Sequence, residues 1–199
     1  MNEDSEQKRS LIELLRVQHW TFALMTLIIG LVGAGLFALI HSIDMPFVMV
    51  SLFKFGLVPS LTVIALVGAI RGPLAGFLSG YFGILTYDLL VHNTIVTLTL
   101  PALAYGVLGF IVGLASYDFT KGSSLGKLSI LSAVGLIFTG LLLVVVGLFV
   151  EQIAILAGIG FILLPLLTSG LPTVIFVTPI IARIWAILST KIELPWNLS

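Results

Sequence analysis

Polar residues that could bind or transform a small molecule are few in this chain, and they fall where long apolar stretches end. Asp88, His92 and Asn93 close one such stretch, Lys54 lies in a short amphiphilic segment, and Glu151 and Gln152 follow another. An ionisable group near the end of a membrane helix implies solute or ion binding when it faces the bundle interior. Facing outward, it only marks the water interface. Asp88 precedes Leu89, Leu90 and Val91, which sets its carboxylate slightly below the surface. Tyr81 and Tyr105 lie deeper, where a phenol needs a hydrogen-bond partner from a neighbouring helix or a ligand. Lys54, Asp88, His92, Asn93, Tyr105, Glu151 and Gln152 are the candidate substrate contacts.

Intramembrane catalysis needs patterns that the sequence lacks. Gly76-Phe-Leu-Ser79-Gly80 has one residue too many for a G-x-S-G nucleophile turn, and no histidine lies deep in a later helix. A pair of facing aspartates is missing, since only Asp88 lies in or near a span. There is no Walker A lysine motif. The chain has no cysteine, and His19, His41 and His92 lack metal-ligand spacing. No enzyme activity, metal or cofactor is expected.

Composition supplies the setting for these residues. Of 199 residues 59% are hydrophobic and 9% charged, against roughly 25% charged in a soluble domain. The mean hydropathy is +1.22. These values point to an all-α integral membrane protein with no soluble domain, and a net charge of zero gives no reason to invoke nucleic acid. The expected organisation is a cytoplasmic tail over 1–19, with an interfacial helix near Leu11 to Trp20, and a single six-helix transmembrane domain over 20–199. The first apolar span lacks a small-residue cleavage site and is expected to be a retained helix.

Small residues organise the helices. Gly72, Gly76 and Gly80 recur every four residues and Gly83 follows three later, so a helix through Arg71 to Asp88 is expected to carry a groove for close packing. Gly30, Ala34 and Ala38 form a second stripe, and Gly106, Gly109 and Gly113 a third. The expected helices are Trp20 to Ile40, Pro59 to Ile70, Pro73 to about Leu90, Leu98 to Ser116, Leu128 to Val150, and Leu171 to Ser189. His41 to Val58 is expected to be a loop or lid, Tyr117 to Lys127 a polar loop, and Ile153 to Ser169 an apolar loop or half-helix. With six spans and a cytoplasmic N-terminus, eight of the nine basic residues fall inside, and only Lys54 falls outside, as the positive-inside rule favours.

The order of these features resembles the substrate-binding S components of energy-coupling factor transporters. Ala34-Gly-Leu-Phe-Ala38 is similar to the A-x-x-x-A motif of their first helix. Ile70-Arg-Gly-Pro-Leu-Ala-Gly-Phe-Leu-Ser-Gly80 is similar to the glycine-proline opening of their third, with Tyr87-Asp88 near its end. Gly106-Val-Leu-Gly-Phe-Ile-Val-Gly113 resembles the glycine-rich fourth helix, and Leu171-Pro172 the opening of the sixth. The resemblance implies capture of a vitamin or related micronutrient near the outer face of a prokaryotic cytoplasmic membrane, under the loop after the first helix. It also implies docking through Gly30, Ala34 and Ala38 on a membrane coupling subunit whose two cytoplasmic ATPases hydrolyse the ATP. Thr173 and Arg183 stand where many members carry Asn and Lys. The outer loops are poor in aromatic and charged groups, which favours a modest or largely apolar substrate. A non-catalytic scaffold and an autonomous secondary transporter with Asp88 as its ion site are the alternatives.

Overall fold

The computed structural model describes residues 20–43, 45–51, 53–93, 99–150 and 152–191. The tail over 1–19, with its expected interfacial helix, and Glu151 lie outside the described residues. Helix α1, Trp20–His41, holds 22 residues, about 33 Å at 1.5 Å per residue, and so matches a bilayer core of roughly 30 Å. Helix α2 is Pro59–Arg71, α3 Pro73–His92, α4 Thr99–Gly113 and α5 Gly122–Phe149. Helix α6 consists of the α-helical pieces Ile155–Ala157, Leu164–Pro172 and Thr178–Lys191, joined by π-helical turns at Gly158–Leu163 and Thr173–Val177.

Among the described residues, four helices are long and apolar enough to cross a membrane: Trp20–His41, Pro73–His92, Gly122–Phe149 and Ile155–Ser189. Two shorter apolar helices, Pro59–Arg71 and Leu100–Gly113, lie between them in sequence. Large apolar side chains such as Leu27, Leu31, Phe138, Leu141, Phe161 and Phe176 remain exposed. In water such a surface would drive aggregation; in lipid it is the solvated one.

Local chemistry sets the joints. Pro59 and Pro73 each occupy the first helical turn, where a missing N–H costs nothing. Between α2 and α3, Gly72 has a φ of 106°, a left-handed conformation that a side chain would strain. Its N–H still donates to Gly68 O at 2.8 Å, so the chain reverses within one residue. Helix α3 stops at Asn93, which has a φ of 53°.

Three expected segments differ. The stretch read as a loop or lid after the first helix contains a β-hairpin, β1 Phe47–Val50 against β2 Phe53–Gly56, with Val48 opposite Phe55 and Met49 opposite Lys54. Helix α5 begins at Gly122 and not Leu128, because Ser124 and Leu125 donate their N–H groups to Lys121 O and close a first turn. The apolar region after Gln152 is one interrupted helix and not a loop followed by a helix. Pro165 starts an α-helical piece and Pro172 ends it next to a π turn, so the widened turn absorbs the missing donor. Hydroxyls of Ser169 and Thr173 donate to Pro165 O at 2.7 Å and Ser169 O at 2.9 Å.

The core runs through Phe37, Leu61, Ile64, Leu108, Leu128 and Leu136, all fully buried. Beside it the backbones of α2, α3 and α4 converge: a Cβ added to Gly68 or Gly76 would overlap the Gly109 carbonyl, and one added to Gly80 would overlap Tyr105 O. A Cβ on Gly106 would meet Phe77, and one on Gly113 would overlap Pro73.

The four glycines around α3 do not line one groove. Gly76 and Gly80 face α4, and Gly83 faces Phe37 of α1. The three-residue step from Gly80 to Gly83 turns the helix back toward another neighbour, while Gly72 precedes the helix.

Candidate functional site

Two polar assemblies lie at opposite ends of the bundle. At the hairpin end, α3 carries Asp88 into the interior, where it is 1% exposed. Its Oδ2 has no hydrogen-bond partner among the described residues. One helical turn deeper, Ile84 is also buried, and two turns deeper lies the Gly80–Tyr105 backbone contact. The carboxylate is therefore held by one of the most closely packed helices of the protein. No ion pair within 4 Å joins Asp88 to a cationic side chain among the described residues.

At the same end, aromatic rings from three helices meet one another. Phe37 and His41 of α1 are stacked with centroids 5.0 Å apart, as their four-residue spacing allows. His41 meets the edge of Tyr87 at 4.5 Å, and Tyr87 meets His92 at 5.9 Å. Tyr105 of α4 approaches Phe37 at 6.2 Å. His41 Nδ1 and Ser60 Oγ share a hydrogen bond of 2.8 Å, which joins the end of α1 to the start of α2.

The hairpin is tied to α6 on the same side. Thr168 Oγ1 donates to Lys54 O at 2.8 Å and Val58 N donates to Thr173 Oγ1 at 2.8 Å. The Lys54 ammonium rests 4.2 Å from the centroid of the Phe47 ring.

The candidate contacts thus separate. Asp88 is buried in the bundle, and Tyr105 joins the aromatic group through Phe37. His92 touches that group from an exposed position, and Asn93 occupies the left-handed residue that ends α3. Lys54 sits on the hairpin, and Gln152 is exposed with a φ of 54°. No hydrogen bond, ion pair or ring contact among the described residues links Lys54, Asn93 or Gln152 to Asp88. Tyr81 packs in a row with Phe77 and Phe82, at 5.9 and 5.2 Å. Phe37, His41 and Ser60 belong to the assembly although no motif in the sequence singles them out. The Phe37–His41 spacing was the one available signal, and the Ser60 bond spans 19 residues.

Gly30, Ala34 and Ala38 do not form an open docking face. Ala34 and Ala38 are 2% and 0% exposed, and a Cβ on Gly30 would lie 2.9 Å from Leu78 Cβ. This stripe is used within the bundle, where it lets α1 pack closely on α3.

The opposite end gathers Arg71, Lys121, Lys127 and Arg183. Arg71 donates to Phe22 O at 3.1 Å, and Arg183 donates to Phe119 O at 3.1 Å and Thr120 O at 2.6 Å. Asp118 pairs with Lys121 at 3.2 Å. The Thr120 hydroxyl and N–H, with lesser help from Lys121, hold the Asp118 carboxyl below its ordinary range. A shallow depression of about 550 Å³ between Tyr117, Asp118, Ser124 and Lys127 opens there. Its groups are satisfied by one another and by backbone.

No group of three or more His, Cys, Asp or Glu residues that could hold a metal ion occurs among the described residues. No protein-family model, characterised protein or solved structure matches the chain. Its apolar helices and lipid-facing surface define a multi-pass, predominantly α-helical membrane protein.

Proposed function

We propose that the protein is a membrane-embedded solute-binding subunit of the energy-coupling factor type, which captures a micronutrient at its hairpin end and is emptied by partner subunits. The buried Asp88 carboxylate, with an unpartnered oxygen beneath that end, carries this reading. A carboxylate costs several kcal/mol to desolvate, so its retention inside a membrane bundle argues for a ligand-binding role. The sequence motifs of α1, α3 and α4 support the same class.

In this reading all six helices cross a cytoplasmic membrane. Arg71, Lys121, Lys127 and Arg183 face the cytoplasm, both termini are cytoplasmic, and Lys54 is outside. The hairpin, tethered at Thr168 and Thr173, serves as the outer cover. Because Ala34 and Ala38 are buried within the bundle, a coupling subunit would meet the exposed face of α1 along Leu27, Leu31 and Leu39.

Affinity purification of the tagged protein from its native membrane in mild detergent, followed by mass spectrometry, tests the assignment. A multi-helix membrane subunit and two ATP-binding-cassette ATPases are expected to accompany it. Recovery of the protein with unrelated membrane partners alone would overturn the reading.

A further inference from the structure

Resting on that reading, the site narrows the substrate class. We infer that the solute bound at the hairpin end carries a cationic nitrogen, and that Asp88 Oδ2 is its counter-ion.

Asp88 is 1% exposed, and among the described residues its Oδ2 has no hydrogen-bond partner and no cationic side chain lies within 4 Å of its carboxylate. Among the described residues, His41, His92 and Lys54 at this end make their contacts elsewhere. His41 is bonded to Ser60 and stacked on Phe37. His92 contacts Tyr87, and the Lys54 ammonium is over the Phe47 ring. A buried carboxyl without a hydrogen-bond or ionic partner is complemented by a cation, which would favour its charged form. An anionic ligand would add like charge and be rejected.

Backbone-to-backbone contacts lie two and three turns below Asp88 on the same helix, at Gly80 against Tyr105 and Gly76 against Gly109, so the carboxyl is carried on a closely packed stretch of α3.

Benzyltrimethylammonium and neopentylbenzene have the same shape and differ by one positive charge, so they probe the inference directly. Binding to the purified protein in detergent is followed by the concentration dependence of its thermal unfolding. The cation is expected to bind roughly tenfold more tightly than its neutral twin, the scale of one charge-assisted contact. Asp88→Asn, which keeps the side chain's shape, is expected to erase that preference. Equal response of the wild-type protein to both compounds, or to neither, would overturn the inference without needing the variant. A preference that persists in Asp88→Asn would overturn the role of Asp88. None of these outcomes alters whether ATPase partners co-purify, so failure here is distinct from failure of the transporter reading.

Discussion

The α2–α3–α4 corner and the α5–α6 pair are both helix contacts lined with glycine, yet they are packed on different materials. At the corner the glycines of one helix meet the backbone of the next: Gly68 and Gly76 face the Gly109 carbonyl, and Gly80 faces that of Tyr105. Between α5 and α6 they meet the tips of flexible side chains. A Cβ on Gly140 would find Leu163 Cδ1 at 2.6 Å, on Gly158 Val144 Cγ1 at 3.2 Å, and on Gly147 Ile162 Cδ1 at 3.3 Å. Helix α6 is also interrupted by two π turns, where a backbone can readjust. One half of the bundle is thus a fixed platform that holds Asp88. The other is an adaptable partner that carries the hairpin.

The sharpest way to break this contrast is Gly109→Ala. The added methyl would overlap the carbonyl and Cα of Gly76, and backbone atoms cannot rotate aside. Overpacking of this kind costs about 1–3 kcal/mol, and the upper end is expected because α2 and α3 both abut the site. Thermal unfolding in detergent should show a lower midpoint than the wild-type protein. An unchanged midpoint would mean that the corner yields as easily as the α5–α6 pair.

A smaller effect is expected where the two halves are linked. The Thr168 hydroxyl is shared between Lys54 O of the hairpin and Leu164 O of its own helix, at 2.8 and 2.9 Å. Thr168→Val keeps the shape and removes the donor, a loss of about 0.5–1.5 kcal/mol. Amide hydrogen exchange across 47–56 is expected to accelerate while the amides of α3 stay protected. Unchanged exchange in the hairpin would show that Val58 and Thr173 hold it without Thr168.

The platform was far more legible in the sequence than its partner. Glycines at four-residue spacing, a Gly-Pro joint and an aspartate near a helix end are local patterns, and they located α3, its reversal at Gly72 and the buried carboxylate. The same patterns misassigned Gly83 and the Ala34–Ala38 stripe. Small residues predict close contact without naming the helix that fills it, and here α1 and α3 fill each other. The hairpin went unrecognised because its turn uses Ser51, with a φ of 55°, where Asn-Gly or Asp-Gly would have announced it. Helix α6 was divided because prolines at 165 and 172 ordinarily end helices, and π turns leave no mark in sequence. The His41–Ser60 bond was invisible for a simpler reason, since only the tertiary fold brings these residues together across 19 positions.

The smallest expected effect sharpens the comparison most directly. Gly147→Ala places a methyl 3.3 Å from Ile162 Cδ1 and 3.6 Å from Ile153 Cδ1, both ends of side chains that can rotate by a few tenths of an ångström. Replacing glycine inside a helix gains about 0.5–1 kcal/mol from the lower entropy of the unfolded chain, which offsets that adjustment. The unfolding midpoint is therefore expected to match or slightly exceed that of the wild-type protein. A fall comparable to that of Gly109→Ala would show that α5 and α6 are locked as firmly as the corner. The hairpin would then be mounted on a rigid helix, and its opening would have to come from the strands themselves.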